Sequence, residues 1–131
     1  MLLEDWETEV VERYLQQFIG SVEGVRAAVV SSVDGFSLAQ AAGHQAGAER
    51  LAAMTSAMLA LATAVGRELA LGKLEVLMLD ASEGKVLMLS VPMERGPLLL
   101  MAACEQRSVI GNVLWSAKEC GRKLLIELGS R

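Results

Sequence analysis

The stretch VVSSVDGFSLA, residues 29–39, breaks an apolar run at Asp34-Gly35 and resumes it at once. Two runs joined by Asp-Gly read as a β-hairpin, because the tight turn needs a positive φ and Gly35 adopts one without steric cost. VRAAVVSS, from Val25, is the first strand and FSLAQ the second. Upstream, Leu3, Trp6, Val10, Tyr14 and Phe18 recur at spacings of three and four, which puts them on one helix face that Gly20 and Gly24 terminate. Downstream of GHQAG, residues 46–71 are filled with the helix formers Ala, Leu and Met, and Gly72 is placed to stop them. KLEVLMLDASEGKVLMLSV then reads as two strands around a turn holding Ser82, Glu83 and Gly84, and GPLLLMAAC as a third. Helical spacing returns at Ile110, Val113, Leu114, Ala117, Leu124, Leu125 and Leu128.

The expected order is helix-strand-strand-helix-strand-strand-strand-helix. VLMLD and VLMLS lack polar alternation, so both faces of their sheet must be covered. Hairpins between consecutive strands make that sheet mainly antiparallel, with helices on its two sides. The fold class is α/β: an α/β/α sandwich around a five-stranded, mainly antiparallel sheet. No Pro/Gly/Ser-rich linker or block of like charge divides the 131 residues, so residues 1–131 read as a single domain.

Projected at 100° per residue, the long helix carries two stripes. Leu51, Met54, Met58, Leu61, Val65 and Leu69 form a large one; Ala53, Ala57, Ala60 and Ala64 form a small one beside and behind it. The expectation is that the large stripe fills the groove over the chain's own sheet, while the small stripe lets a second backbone approach closely. A helix apolar nearly all round must be buried nearly all round, and in a small chain the economical cover is a second copy.

Composition excludes several classes. The net charge is −4 with no Lys/Arg stripe to neutralise phosphates, so nucleic acid is not an expected partner. Membrane insertion is not expected either. The N-terminal MLLEDWETEVVE is acidic where a secretory signal is basic, and the sixteen uncharged residues between Arg50 and Arg67 fall short of the usual span of about 20. Cys104 and Cys120 lie in apolar runs, no CxxC pair exists, and His44 is the single histidine, so no metal site, cofactor or disulfide is signalled. The expected compartment is the cytoplasm, with both thiols reduced and packed. Catalysis would need His44 with Cys104 or Cys120 and an acid such as Asp80, and the spacing does not support it. GRELALGK, residues 66–73, resembles a phosphate loop only superficially. It has five residues between the glycines instead of four, Leu74 where Ser or Thr should bind magnesium, and helix-to-strand order. Arg67, Arg95 and Arg107, near element ends, read as solvated charges.

In order and wording these elements resemble the Roadblock family, the dynein-light-chain Roadblock-type group of the Roadblock/longin superfamily, from about Val11 to Leu128. The pieces that carry the resemblance are VRAAVVSSVDGFSLA, the helix beginning AERLAAMTSAMLALA, GKLEVLML, and SVIGNVLWSAKECGRKL. The resemblance implies a homodimer in which long helices pack together and edge strands continue one sheet across two subunits. It also implies a Ras-like small GTPase as partner, bound according to its nucleotide state, with activation of GTP hydrolysis in some members and no catalytic residue in this chain. Carried onto this sequence, the dimer surface falls on Ala53, Ala57, Ala60 and Ala64 and on Leu74, Val76, Leu77 and Leu79. Two rival readings stand beside it. One is a small-ligand sensor of profilin-like outline, for which the strands offer few polar groups beyond Ser31, Ser32 and Ser90. The other is a dimeric adaptor with no GTPase partner.

Overall fold

The hairpin closes through three residues, not two. In the computed structural model, which describes residues 2–42 and 45–129, Gly35 N–H donates to Ser32 O at 3.1 Å and Ser32 N–H to Phe36 O at 2.9 Å. Val33 and Asp34 therefore turn first, and Gly35, at φ +91°, completes the loop. This is the three-residue hairpin loop in which one left-handed residue follows an ordinary turn. The Ser32 hydroxyl accepts from Phe36 N–H at 3.2 Å, and its hydrogen bond to Asp34 holds that carboxyl below the usual range.

The strands so joined are β1 (Val25–Ser32) and β2 (Ser37–Ala41). Helix α1 (Asp5–Ser21) precedes them; α2 (Gln45–Glu68), β3 (Val76–Ala81), β4 (Gly84–Val91), β5 (Leu98–Glu105) and α3 (Ile110–Leu128) follow. The sheet runs β2-β1-β5-β4-β3 with every neighbouring pair antiparallel. The last strand in the chain is thus central, between Val25–Ser32 and Gly84–Val91. Leu98, Leu99, Leu100, Met101 and Ala102 are consecutively buried, as a strand covered on both faces requires.

Helices α1 and α3 pack side by side on one face, α1 over β1 and β2 and α3 over β4 and β5. The larger core lies beneath them. There Leu15, Leu87, Leu98, Leu100, Leu124 and Leu128 are at most 1 % exposed, each contributing about 2 kcal/mol of burial. Gly121 lets α3 approach β4 closely, because a Cβ there would stand 3.0 Å from Val91.

Two helices depart from their expected patterns. On α1 the buried positions are Glu7, Val11, Leu15 and Phe18; Val10 and Tyr14 are half-buried and Trp6 is exposed. The face turns because a carboxylate is taken inside: Glu7 is 1 % exposed, accepts Glu4 N–H at 2.9 Å and is ion-paired with Arg95. Helix α2 ends before Gly72. Leu71 N–H reaches back to Gly66 O at 2.8 Å and Ala70 N–H to Arg67 O at 3.2 Å, with Ala70 at φ +54°. That is a Schellman ending with alanine where glycine is usual.

Candidate interaction surface

Helix α2 lies on the other sheet face, mainly over β1 and β2. It buries Ala48, Ala52, Thr55 and Leu59, at spacings of four, three and four, against Val29, Met88, Leu99 and Met101. After Leu59 no residue of the helix is buried. The stripe expected on the chain's own sheet faces solvent instead: Met54 is 54 % exposed, Leu61 68 % and Val65 54 %, with Leu51 and Leu69 also exposed and Met58 half-buried. The reason is steric. The sheet meets the helix with methionine and leucine side chains, so close contact selects the small Ala48–Ala52–Thr55 side of the helix.

Ala53, Ala57, Ala60 and Ala64 are exposed as well. Most of the circumference of α2 is therefore apolar and uncovered. By length and composition Gly47–Glu68, with mean hydropathy 1.2, could cross a membrane, although here one side of it is docked on the sheet. β3 is an edge strand, hydrogen-bonded to β4 alone. Val76 and Leu77 are half-buried and Met78 and Leu79 exposed, with half-buried Leu74 just ahead of the strand. An exposed apolar edge with unpaired backbone groups is a template for another chain. Asp34 and Gly35 stand at the opposite edge of the sheet, between β1 and β2. Gly35 also packs against α2, since a Cβ on it would meet Ala53 Cα at 3.4 Å.

The remaining chemistry-bearing residues do not converge. Cys104 on β5 and Cys120 on α3 are each 4 % exposed. Burial raises the Cys104 thiol and pushes Cys120 up to about 11, which suppresses the thiolate that nucleophilic chemistry needs. His44 lies outside the described residues. Arg95 is at the surface as its position suggests, and its guanidinium is ion-paired with the buried Glu7. Arg107 is 88 % exposed beside Glu105, at 3.2 Å. Arg67 is exposed at the end of α2. The Glu7–Arg95 pair had no local signal, because its members are 88 residues apart.

The family model of the Roadblock/LC7 domain matches residues 13–103, more than half of the chain. Among curated proteins none matches this sequence significantly. Among solved structures, a Roadblock/LC7 domain from Streptomyces avermitilis superposes with a TM-score of 0.83 at 14% identity, over 89% of this chain and 96% of that one. Myxococcus xanthus MglB superposes with a TM-score of 0.84 at 12% identity, over 99% and 96%. An MglB described as having a tetrameric arrangement gives 0.83 at 16% identity, over 95% and 91%. At such identities the structures speak to the fold, and they share it nearly end to end. With a family match running from within α1 into β5, on a sheet of this strand order, the chain belongs to the Roadblock/LC7 family.

Proposed function

We propose that the chain is a homodimeric Roadblock-type regulator or scaffold that binds a Ras-like small GTPase according to its nucleotide state. One observation carries the reading: the outer face of α2 and the edge strand β3 are apolar and uncovered, in a Roadblock/LC7 chain. The accessible surface, 7623 Å² for 14.0 kDa, exceeds by about 900 Å² the roughly 6,700 Å² expected of a folded monomer of this mass. A standard interface takes about 800 Å² from each partner. In the dimer, Ala53, Ala57, Ala60 and Ala64 admit the facing backbone, with Met54, Leu61 and Val65 packing beside them. Val76, Leu77 and Leu79, with Leu74 at their start, extend the sheet into the second subunit. A twofold pairing of this kind uses the same patch on both copies and closes on itself. The reading places the dimer in the cytoplasm, where both buried thiols stay reduced.

The GTPase enters through family membership, and the chain's charges are consistent with a regulator that supplies no catalytic group. Arg95 is tied to Glu7, Arg107 to Glu105 and Arg122 to Glu119, while Arg67 is exposed at the end of α2, and the reading assigns none of them as an arginine finger. Activation of hydrolysis would work by stabilising the GTPase's own hydrolysis-ready arrangement. A preference between nucleotide states requires that the switch segments present different surfaces in each. The test has two parts. Light scattering should give twice the 14.0 kDa chain mass, and a concentration-independent monomer would refute the dimer. A GTPase recovered from native extract should then bind at least about tenfold more tightly in one state, about 1.4 kcal/mol. Equal binding in both states, or none, would leave a dimeric adaptor; selective binding without faster phosphate release would leave a scaffold.

A further inference from the structure

Beyond Leu59, α2 parts from the sheet and leaves a slot of about 610 Å³, inside the range of about 300–1,000 Å³ usual for small-ligand sites. Leu59, Ala60 and Thr63 form one wall; Leu74, Pro97 and Leu99 form the other. Of these, Ala60 and Leu74 also belong to the proposed dimer surface. Two hydroxyls of the helix wall are already engaged. Ser56 donates to Val33 O, and Thr63 Oγ1 donates to Leu59 O at 2.7 Å. Ser90, on the sheet side, is exposed to water. The interior therefore makes little polar demand on an occupant and rewards apolar contact.

The rim has the opposite character. Arg67 and Lys73 both border the slot, both are exposed, and neither forms an ion pair with a described residue. Glu75 is the third charge there, so the rim carries two cations to one anion in a chain whose net charge is −4. An apolar trough with a cationic lip complements a molecule with an apolar body and one anionic end. The eight-residue step from Leu59 to Arg67 gives the trough a length of about 12 Å along the helix.

We propose that this slot binds a single-chain carboxylate amphiphile, its chain lying along α2 and its carboxylate between Arg67 and Lys73. The Arg67 guanidinium can take the carboxylate in a two-pronged hydrogen bond and Lys73 adds a point charge. The site stands independently of the GTPase reading, because neither the trough nor its rim depends on that partner.

The test titrates decanoate into the full chain by calorimetry and follows backbone NMR shifts, with decanol and decyltrimethylammonium as neutral and cationic comparisons. Decanoate should bind with shifts at Leu59, Thr63, Leu74 and Leu99. The Arg67→Ala/Lys73→Ala variant should weaken decanoate at least about tenfold, as loss of charge-assisted hydrogen bonds implies, and leave decanol unchanged. Thr63→Trp, a substitution at an exposed position that fills the trough, should abolish both. No decanoate binding, equal binding of the cationic amphiphile, or insensitivity to the rim variant would overturn the proposal. So would shifts confined to Leu61, Val65 and Met78.

Discussion

Arg95→Met tests whether the buried Glu7 carboxylate depends on its cation. Glu7 is 1 % exposed, whereas the Arg95 side chain keeps 31 % of its surface. Removing one partner of a buried ion pair costs about 3–5 kcal/mol. Water can reach the side that Arg95 vacates, so the lower end applies, about 3 kcal/mol. With a urea slope of about 2 kcal/mol per molar, the unfolding midpoint should fall by about 1.5 M, read by circular dichroism at one fixed protein concentration. The control adds Glu7→Gln in the same background. That change removes the charge but retains an oxygen for Glu4 N–H, which Glu7 now accepts at 2.9 Å. The Glu7→Gln/Arg95→Met protein should therefore recover much of the loss. A change below about 0.5 kcal/mol for Arg95→Met, the range of ordinary surface substitutions, would refute the reasoning. So would a double variant less stable than the single one.

Three further outcomes follow from named features. Ala70→Gly should raise stability by about 1 kcal/mol, because Ala70 holds φ +54° at a position where only glycine avoids the left-handed penalty; an unchanged urea midpoint would contradict the Schellman assignment. Ala57→Glu or Ala60→Glu should give a folded monomer by light scattering, since a charge in the proposed interface loses water without gaining a partner; an intact dimer would move the interface elsewhere. Cys120 titrates from 9.0 in the unfolded chain to about 11 when folded, so its contribution is complete below pH 9 and is lost as pH rises towards 11, by up to about 2–3 kcal/mol. Cys120→Ala should remove that part of the alkaline decline, and the Cys104→Ala/Cys120→Ala protein should still dimerise.

The elements were legible because their signals are local. Spacings of three and four, apolar runs, Asp34-Gly35 and the turn before Gly84 located three helices and five strands, and the unbroken apolar wording of the strands called for a sheet covered on both faces. Less visible was the detail that depends on partners far along the chain. The turn gained Val33 because its closure is decided by the Ser32–Phe36 pair. Helix α1 rotated its buried face because Arg95, 88 residues away, compensates Glu7. The Ala-rich stripe was visible in the sequence, as was the apolar character of more than one side of α2.

By itself, then, the sequence determined the order of elements, the antiparallel sandwich and the presence of an apolar surplus on one long helix, because each follows from spacing within a few residues. Tertiary structure decided which side of that helix meets the sheet. Spacing ranks side chains by size and polarity, but the choice of contact face depends on the relief opposite, and Met88, Leu99 and Met101 leave room for Ala48, Ala52 and Thr55 rather than for Met54, Leu61 and Val65. The larger residues are thereby turned outward. The same departure of α2 from the sheet after Leu59 opens the slot beside Arg67 and Lys73, a feature with no counterpart in periodicity because its two walls come from separate parts of the chain.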